Sequence, residues 1–193
     1  SMGRPLPGIE ATIMENCNGV KKPLKESCRI GELAIKRGWP SMFRGYLNED
    51  QRYLDCFIDD WYLTGDLAYR DADGFYWFIG RADDVIKSSG HLIGPFEVES
   101  VLMEHPAVAE VAVIGLPDGI RGEKITAYVK LEAGETATAA EIRAFCRERL
   151  APYKQPRTVI FQDELPKTLA GKILRRQLKE EALAKAEKKS RQG

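Results

Sequence analysis

Up to about residue 80 the apolar positions recur in short runs with strand periodicity; beyond residue 81 they switch between helical and strand spacing. The stretches "GIEATIMEN" and "GELAIKRG" read as strands bounded by Gly and Asn. "NEDQRYLDCF" suits a short helix with Asn48 as its cap. Leu67–Arg70 and Phe75–Ile79 read as two strands around "DADG", where Asp73-Gly74 makes the tight turn because glycine accepts positive φ. Residues 4–80 are therefore expected to form a small, barrel-like β subdomain.

From residue 84 the expected elements alternate. "DVIKSSGHLIG" is a hairpin with a Ser-Ser-Gly turn. "PFEVESVLMEH" opens with Pro95 at a first helical position and stops at His105, since Pro106 disfavours helix at its predecessor. "VAEVAVIGL" reads as a buried strand. In "EKITAYVKL" Ile125, Ala127, Val129 and Leu131 point one way, and Lys124, Thr126, Tyr128 and Lys130 the other. "TAAEIRAFCRERL" begins with a capping box, Thr138 and Glu141, and sets Ile142, Phe145, Cys146 and Leu150 on one face. "RTVIFQ" is a further strand, and residues 173–189 form a charged helix with a stripe of Leu174, Leu178 and Ala182. The fold class expected is α+β: the small β subdomain, then an antiparallel sheet with helices against it over residues 84–180, then a charged, frayed tail at 181–193.

The chain has 193 residues, enough for one ordinary domain or two small ones. Hydrophobic residues at 44% and charged residues at 30% give a soluble globular profile, and a formal net charge of zero supplies no electrostatic reason to expect nucleic acid or an anionic membrane as partner. No apolar run approaches the length of a membrane helix, no secretory signal is expected from the opening residues, and the leading "SMG" reads as an expression scar. Cys17, Cys28, Cys56 and Cys146 form no C-x-x-C pair, and His91 and His105 complete no zinc pattern. Four reduced thiols in a cytoplasmic protein is the expectation, with Cys146 as core.

Three stretches carry candidate chemistry. In "YLTGD", residues 62–66, an Asp after Thr-Gly can present both oxygens to a vicinal diol such as ribose, although a turn Asp serving its own backbone is the plainer reading. In "GRADDVIKSSG", residues 80–90, Arg81 suits a ribose or phosphate, Asp83 and Asp84 suit a polar link between two compact parts, and Gly90 lets a thin ligand pass close to backbone. In "LPKTLAGK", Lys172 follows Gly171 ahead of a helix and could reach a developing negative charge. Taken singly, each reads more plainly as a surface charge or a turn glycine.

Taken together, the order and spacing of these stretches resemble the adenylate-forming superfamily of acyl-CoA synthetases, peptide-synthetase adenylation domains and luciferases. The resemblance covers residues 4–180. "KRGWPSM", "GPFEVES", "EHPAVAEVAVIGLPD" and "RGEKITAYVKL" are most similar to acetyl-CoA and short- to medium-chain acyl-CoA synthetases. It implies an ATP-dependent acid–CoA ligase: a carboxylate attacks the α-phosphate of ATP, pyrophosphate leaves, and the thiol of CoA then displaces AMP. It implies that Asp66 and Arg81 hold the ribose, that Lys172 supports adenylation, and that Asp83, in a link spanning 81–86, is the hinge of a mobile C-terminal domain. It further implies CoA contacts at Ser89, Gly90, His91, Arg121 and Arg147, Mg²⁺ accompanying ATP, and a backbone magnesium position at Met103, His105 and Val108. Relatives carry Arg where this sequence has Leu92, which implies weaker thioester formation. Nothing like "TSGTTG-x-PK" occurs, so the phosphate-binding loop and the acyl pocket belong to a large domain outside this chain, and the chain alone is expected to be inactive. Its partners are then ATP, a carboxylate, CoA and that large domain. A non-catalytic CoA-, nucleotide- or partner-binding module, and the mobile half of a split enzyme, are the alternatives.

Overall fold

The computed structural model describes residues 1–17 and 20–190. The chain divides between Asp83 and Asp84 into two compact units. The first contains β1 (Ala11–Cys17), β2 (Val20–Pro23), β3 (Gly31–Lys36), α1 (Asp50–Leu54), β4 (Phe57–Ile58), β5 (Trp61–Arg70) and β6 (Tyr76–Arg81). Its sheet runs β2-β1-β3-β5-β4, with β6 also on β5. β3 lies along one edge of β5, while β4 and β6 share the other, at Trp61–Tyr62 and at Asp66–Arg70 respectively. Ten residues of β5 thus serve three strands, and this strand carries "YLTGD".

Three expectations for this unit need correction. The sheet is open rather than barrel-like: its end strands β2 and β4 do not pair among the described residues. The strand expected from Leu67 begins at Trp61, because Thr64-Gly65 is absorbed as an irregularity in the ladder instead of turning the chain. Asn48 does not cap α1. It takes a left-handed φ of 58°, a conformation Asn tolerates, and Glu49 occupies the cap position without a side-chain bond. The "SMG" start also joins the fold, with Gly3 bridging to Tyr76. Ile13, Leu24, Ala68 and Tyr76 form the core, and the Tyr76 hydroxyl donates to the Ala11 carbonyl at 2.7 Å.

The second unit contains β7 (Ile86–Ser88), β8 (His91–Ile93), α2 (Pro95–Leu102), β9 (Val108–Asp118), β10 (Gly122–Leu131), α3 (Ala139–Arg149), β11 (Thr158–Phe161) and α4 (Arg175–Ser190). β9 follows one edge of β10; β7 and β11 share the other. The architecture is α+β, antiparallel apart from β11, which runs parallel to β10 because α3 carries the chain back to the starting end.

The alternation in β10 separates two cores. Ile125, Ala127 and Val129 pack with Val98 and Leu102 of α2 and Ile142 and Cys146 of α3. Tyr128 packs on the opposite face with Ala112, Ile114, Leu165 and Leu178. Burial pushes the Cys146 thiol up to about 11, so it stays protonated and acts as a small hydrophobe. α2 ends at Leu102, before His105, because the backbone N–H groups of Glu104 and His105 bond three residues back and tighten into a turn. α4 starts at Arg175 rather than 173, since Ile173 pairs with Lys167. Leu174 therefore precedes the helix and stays exposed, and residues 181–190 continue α4 instead of fraying. Residues 191–193 of the expected tail lie outside the described residues.

The capping box of α3 forms as expected: the Glu141 N–H donates to the Thr138 hydroxyl, and the Thr138 N–H donates to the Glu141 carboxylate at 2.7 Å. Thr138→Ala is expected to lower unfolding stability by about 1 kcal/mol, measurable as a shifted urea midpoint with unchanged slope. The backbone N–H of Thr138 holds the Glu141 carboxyl below its ordinary range. That contribution is therefore present above the ordinary glutamate pKa and is lost as pH falls through the depressed value.

Candidate functional site

Each unit carries its own part of the candidate chemistry. In the first, β5 and β6 place Asp66 directly opposite Arg81. The Arg81 Nη1 donates to the Asp66 Oδ1 at 3.0 Å and to the Thr64 carbonyl at 2.9 Å. Gly65 makes that approach possible. Its φ is +72°, and a Cβ there would sit 2.8 Å from the Arg81 Nη2. Around it, the Thr64 hydroxyl donates to the Leu33 carbonyl and accepts from the Asp66 N–H, which fixes the backbone beneath the carboxylate. Burial works against the charge on Arg81, but Asp66 and Asp83 more than offset it, and the guanidinium pKa is raised. The result is a half-exposed carboxylate with one oxygen on a fixed cation and the other unpartnered among the described residues. Such a group accepts hydroxyl donors from a diol.

In the second unit, Ser89 and Gly90 turn the β7–β8 hairpin with φ of 51° and 80°. Two successive left-handed residues make the tight hairpin turn that matches strand twist. The Ser89 N–H donates to the Arg121 carbonyl at 2.9 Å, tying this turn to the β9–β10 turn. The His91 ring stacks on Tyr153 with centroids 4.2 Å apart. Ser88, Ser89, Arg121, Tyr153, Gln155 and Arg157 line one cleft. It offers cations and an aromatic face, which suits an anionic nucleotide. Tyr153 and Arg157 were not legible beforehand: they follow α3 at a point where no periodicity marks them. Arg147 projects from α3 as an exposed residue and is not among the residues lining this cleft.

Lys172 stands on a closed hairpin rather than a loose loop. The Thr168 N–H donates to the Lys172 carbonyl at 2.8 Å, the Lys172 N–H to the Thr168 hydroxyl at 3.1 Å, and Gly171 turns with φ of +80°. The Lys172 side chain is exposed and pairs with no carboxylate among the described residues. No hydrogen bond joins it to the 89–91 turn among the described residues. Met103, His105 and Val108 share the turn after α2. There the His105 carbonyl accepts from the Val108 N–H at 2.9 Å, and no cluster of three His, Cys, Asp or Glu side chains suited to a cation exists among the described residues.

The least expected feature is Arg175 at the start of α4. Its Nε and Nη2 fork onto Glu99 of α2 at 3.0 and 2.6 Å, and its Nη1 reaches Asp84 at 3.4 Å. The Glu99 Oε1 also accepts the Val113 N–H at 2.8 Å. In the sequence Arg175 is one of several cations in "KILRRQLKEE", and only the tertiary fold singles it out.

Residues 97–172 match the model of the AMP-binding enzyme C-terminal domain. Over that segment the chain is similar to AMP-binding enzyme C-terminal domains. Acetyl-coenzyme A synthetase of Bacillus subtilis is 49% identical to it over 183 residues, covering 93% of this chain and 31% of that protein. The anthranilate CoA ligase AuaEII in complex with anthranoyl-AMP has a similar structure, at 37% identity and a TM-score of 0.80, covering 95% of this chain and 35% of that one. The o-succinylbenzoate coenzyme A synthetase MenE of Bacillus subtilis, in complex with ATP and magnesium ion, gives 38% identity and a TM-score of 0.77 over 92% of this chain and 35% of that one. This chain spans about a third of the length of the curated relatives it matches.

Proposed function

We propose that this chain is the C-terminal part of an AMP-forming acid–CoA ligase. The observation that carries this reading is the Asp66–Arg81 pair, set opposite each other on adjacent strands immediately before the boundary between the units. Asp66 accepts the ribose hydroxyls of ATP, and Arg81 holds Asp66 and donates beside it. The Lys172 ammonium offsets negative charge on the α-phosphate and the attacking carboxylate while pyrophosphate departs. The Ser89-Gly90 turn and the stacked His91 form the wall along which the pantetheine arm of CoA runs, and Arg121 supplies charge for its nucleotide, with Arg147 a further contact. Asp83 lies at the hinge. Magnesium enters with ATP as part of the substrate. The 103–108 turn provides backbone oxygens, its one carboxylate, Glu104, faces Arg149 at 3.9 Å, and no step runs through a metal there.

The acyl group is not chosen by this chain. The similar proteins are named for acetate, anthranilate and o-succinylbenzoate, and that pocket falls to residues of a large domain. The test is a graft. This chain, replacing the matching third of the Bacillus subtilis synthetase, is expected to give an enzyme that makes acetyl-CoA, while the chain alone with ATP, magnesium, a carboxylate panel and CoA releases no pyrophosphate above blank. A folded but inactive graft, or robust turnover by the chain alone, overturns the reading.

A further inference from the structure

The division between the two units falls on one peptide bond, and the aspartates on either side of it are held differently. Asp83 closes the first unit, and its carboxylate lies 3.5 Å from the Arg81 Nε. Asp84 opens the second, and its carboxylate lies 3.4 Å from the Arg175 Nη1. One residue further out on each side the chain is anchored. The Ala82 N–H donates to the Gly65 carbonyl at 2.8 Å, and Val85 and Ile86 are buried at 6% and 0% exposure. The free torsions of the connection are those between Ala82 and Val85.

Arg175 is itself held firmly. Glu99, only 7% exposed, accepts two of its donors and also the Val113 N–H, so the guanidinium is fastened to α2 and β9 together. A cation in the first turn of a helix faces the positive end of the helix dipole. α4 nevertheless opens with Arg175 and Arg176 and has no acid in that turn. A locally unfavourable choice matched by a buried partner marks a tertiary role. The same helix start joins the Lys172 hairpin: the Leu174 N–H donates to the Pro166 carbonyl at 2.8 Å, and Lys167 pairs with Ile173. From Asp84 to Lys172 the connection therefore runs through hydrogen bonds and one short backbone step.

We propose that Arg175 is a positioning residue that pins Asp84 to the second unit, so that the swing between the two half-reactions is confined to the Asp83–Asp84 linkage and reaches Lys172 undiluted. This rests on the ligase reading for the existence of the swing; the pin itself rests on the geometry of this chain. If the pin is lost, residues 84–86 gain freedom and the unit samples more orientations. Each productive orientation is then a smaller fraction of the population, and both half-reactions slow by that fraction.

Asp84→Ala tests this without disturbing the Arg175–Glu99 fork. In the isolated chain, hydrogen exchange at residues 82–86 is expected to accelerate by about ten-fold, with exchange in β9 and β10 unchanged. In the grafted ligase, adenylation and thioester formation are expected to fall together by about five-fold, and Asp84→Asn, which keeps an acceptor, is expected to recover part of both. Unchanged exchange at 82–86 overturns the pin even if the ligase reading stands. So does a loss confined to one half-reaction. An inactive graft defeats the ligase reading and leaves the exchange measurement to decide the pin.

Discussion

Lys172→Ala in the grafted ligase is expected to slow adenylate formation by about a hundred-fold or more and to leave thioester formation from preformed acyl-adenylate nearly unchanged. The asymmetry follows from where charge develops. In the first half-reaction a carboxylate meets a phosphate and a third anion departs, so a positioned ammonium stabilises the transition state more than the ground state. In the second, the reacting centre is a carbonyl attacked by a thiol, and on the proposed reading the Ser89-Gly90 turn rather than the Lys172 hairpin serves that step. The side chain is exposed and unpaired among the described residues, so its truncation leaves no buried charge and the fold intact. Pyrophosphate release monitors the first step, and acyl-adenylate supplied with CoA monitors the second. Equal loss in both refutes the role.

Arg175→Met is expected to destabilise the second unit by about 3 kcal/mol or more, read as an urea midpoint shift. The cause is what remains rather than what is removed: Glu99, 7% exposed between α2 and β9, would keep a carboxylate with no cation beside it. Adding Glu99→Gln removes that charge and retains an amide oxygen for the Val113 N–H. The double variant is therefore expected to regain about half of the loss, a coupling of one to two kcal/mol for residues in direct contact. If the double variant is no more stable than the single, the buried charge is not the cause.

What the sequence made legible depended on how local each feature is. The α3 capping box and the Ser89-Gly90 and Asp73-Gly74 turns rest on a few adjacent residues, and each appears where its chemistry requires. The family likeness implies a shared role for Asp66 and Arg81, and the register of β5 against β6 sets them opposite each other. Three features were hidden. The open edge of the first sheet depends on strands that do not meet among the described residues. The parallel β11 depends on where α3 returns the chain. Arg175 depends on Glu99, 76 positions earlier. Its own neighbourhood reads as a solvated basic run, and helix-end electrostatics argue against a cation there. The Lys172 segment shows the same limit on a smaller scale: "TLA" reads as slack, yet Thr168 closes it with both its backbone and its hydroxyl.

The junction at Asp83–Asp84 also sets a concentration. A flexible linker lets joined bodies search a volume that grows with its length, and their mutual effective concentration falls accordingly. Here the Ala82 N–H is bonded on one side and the Val85 side chain is buried on the other, so the tether is very short. The search reduces to rotation about a joint. On the ligase reading proposed above, two alternative docking arrangements would each be reached with small, weak contact surfaces, and neither would need to be so favourable that it traps the enzyme between steps.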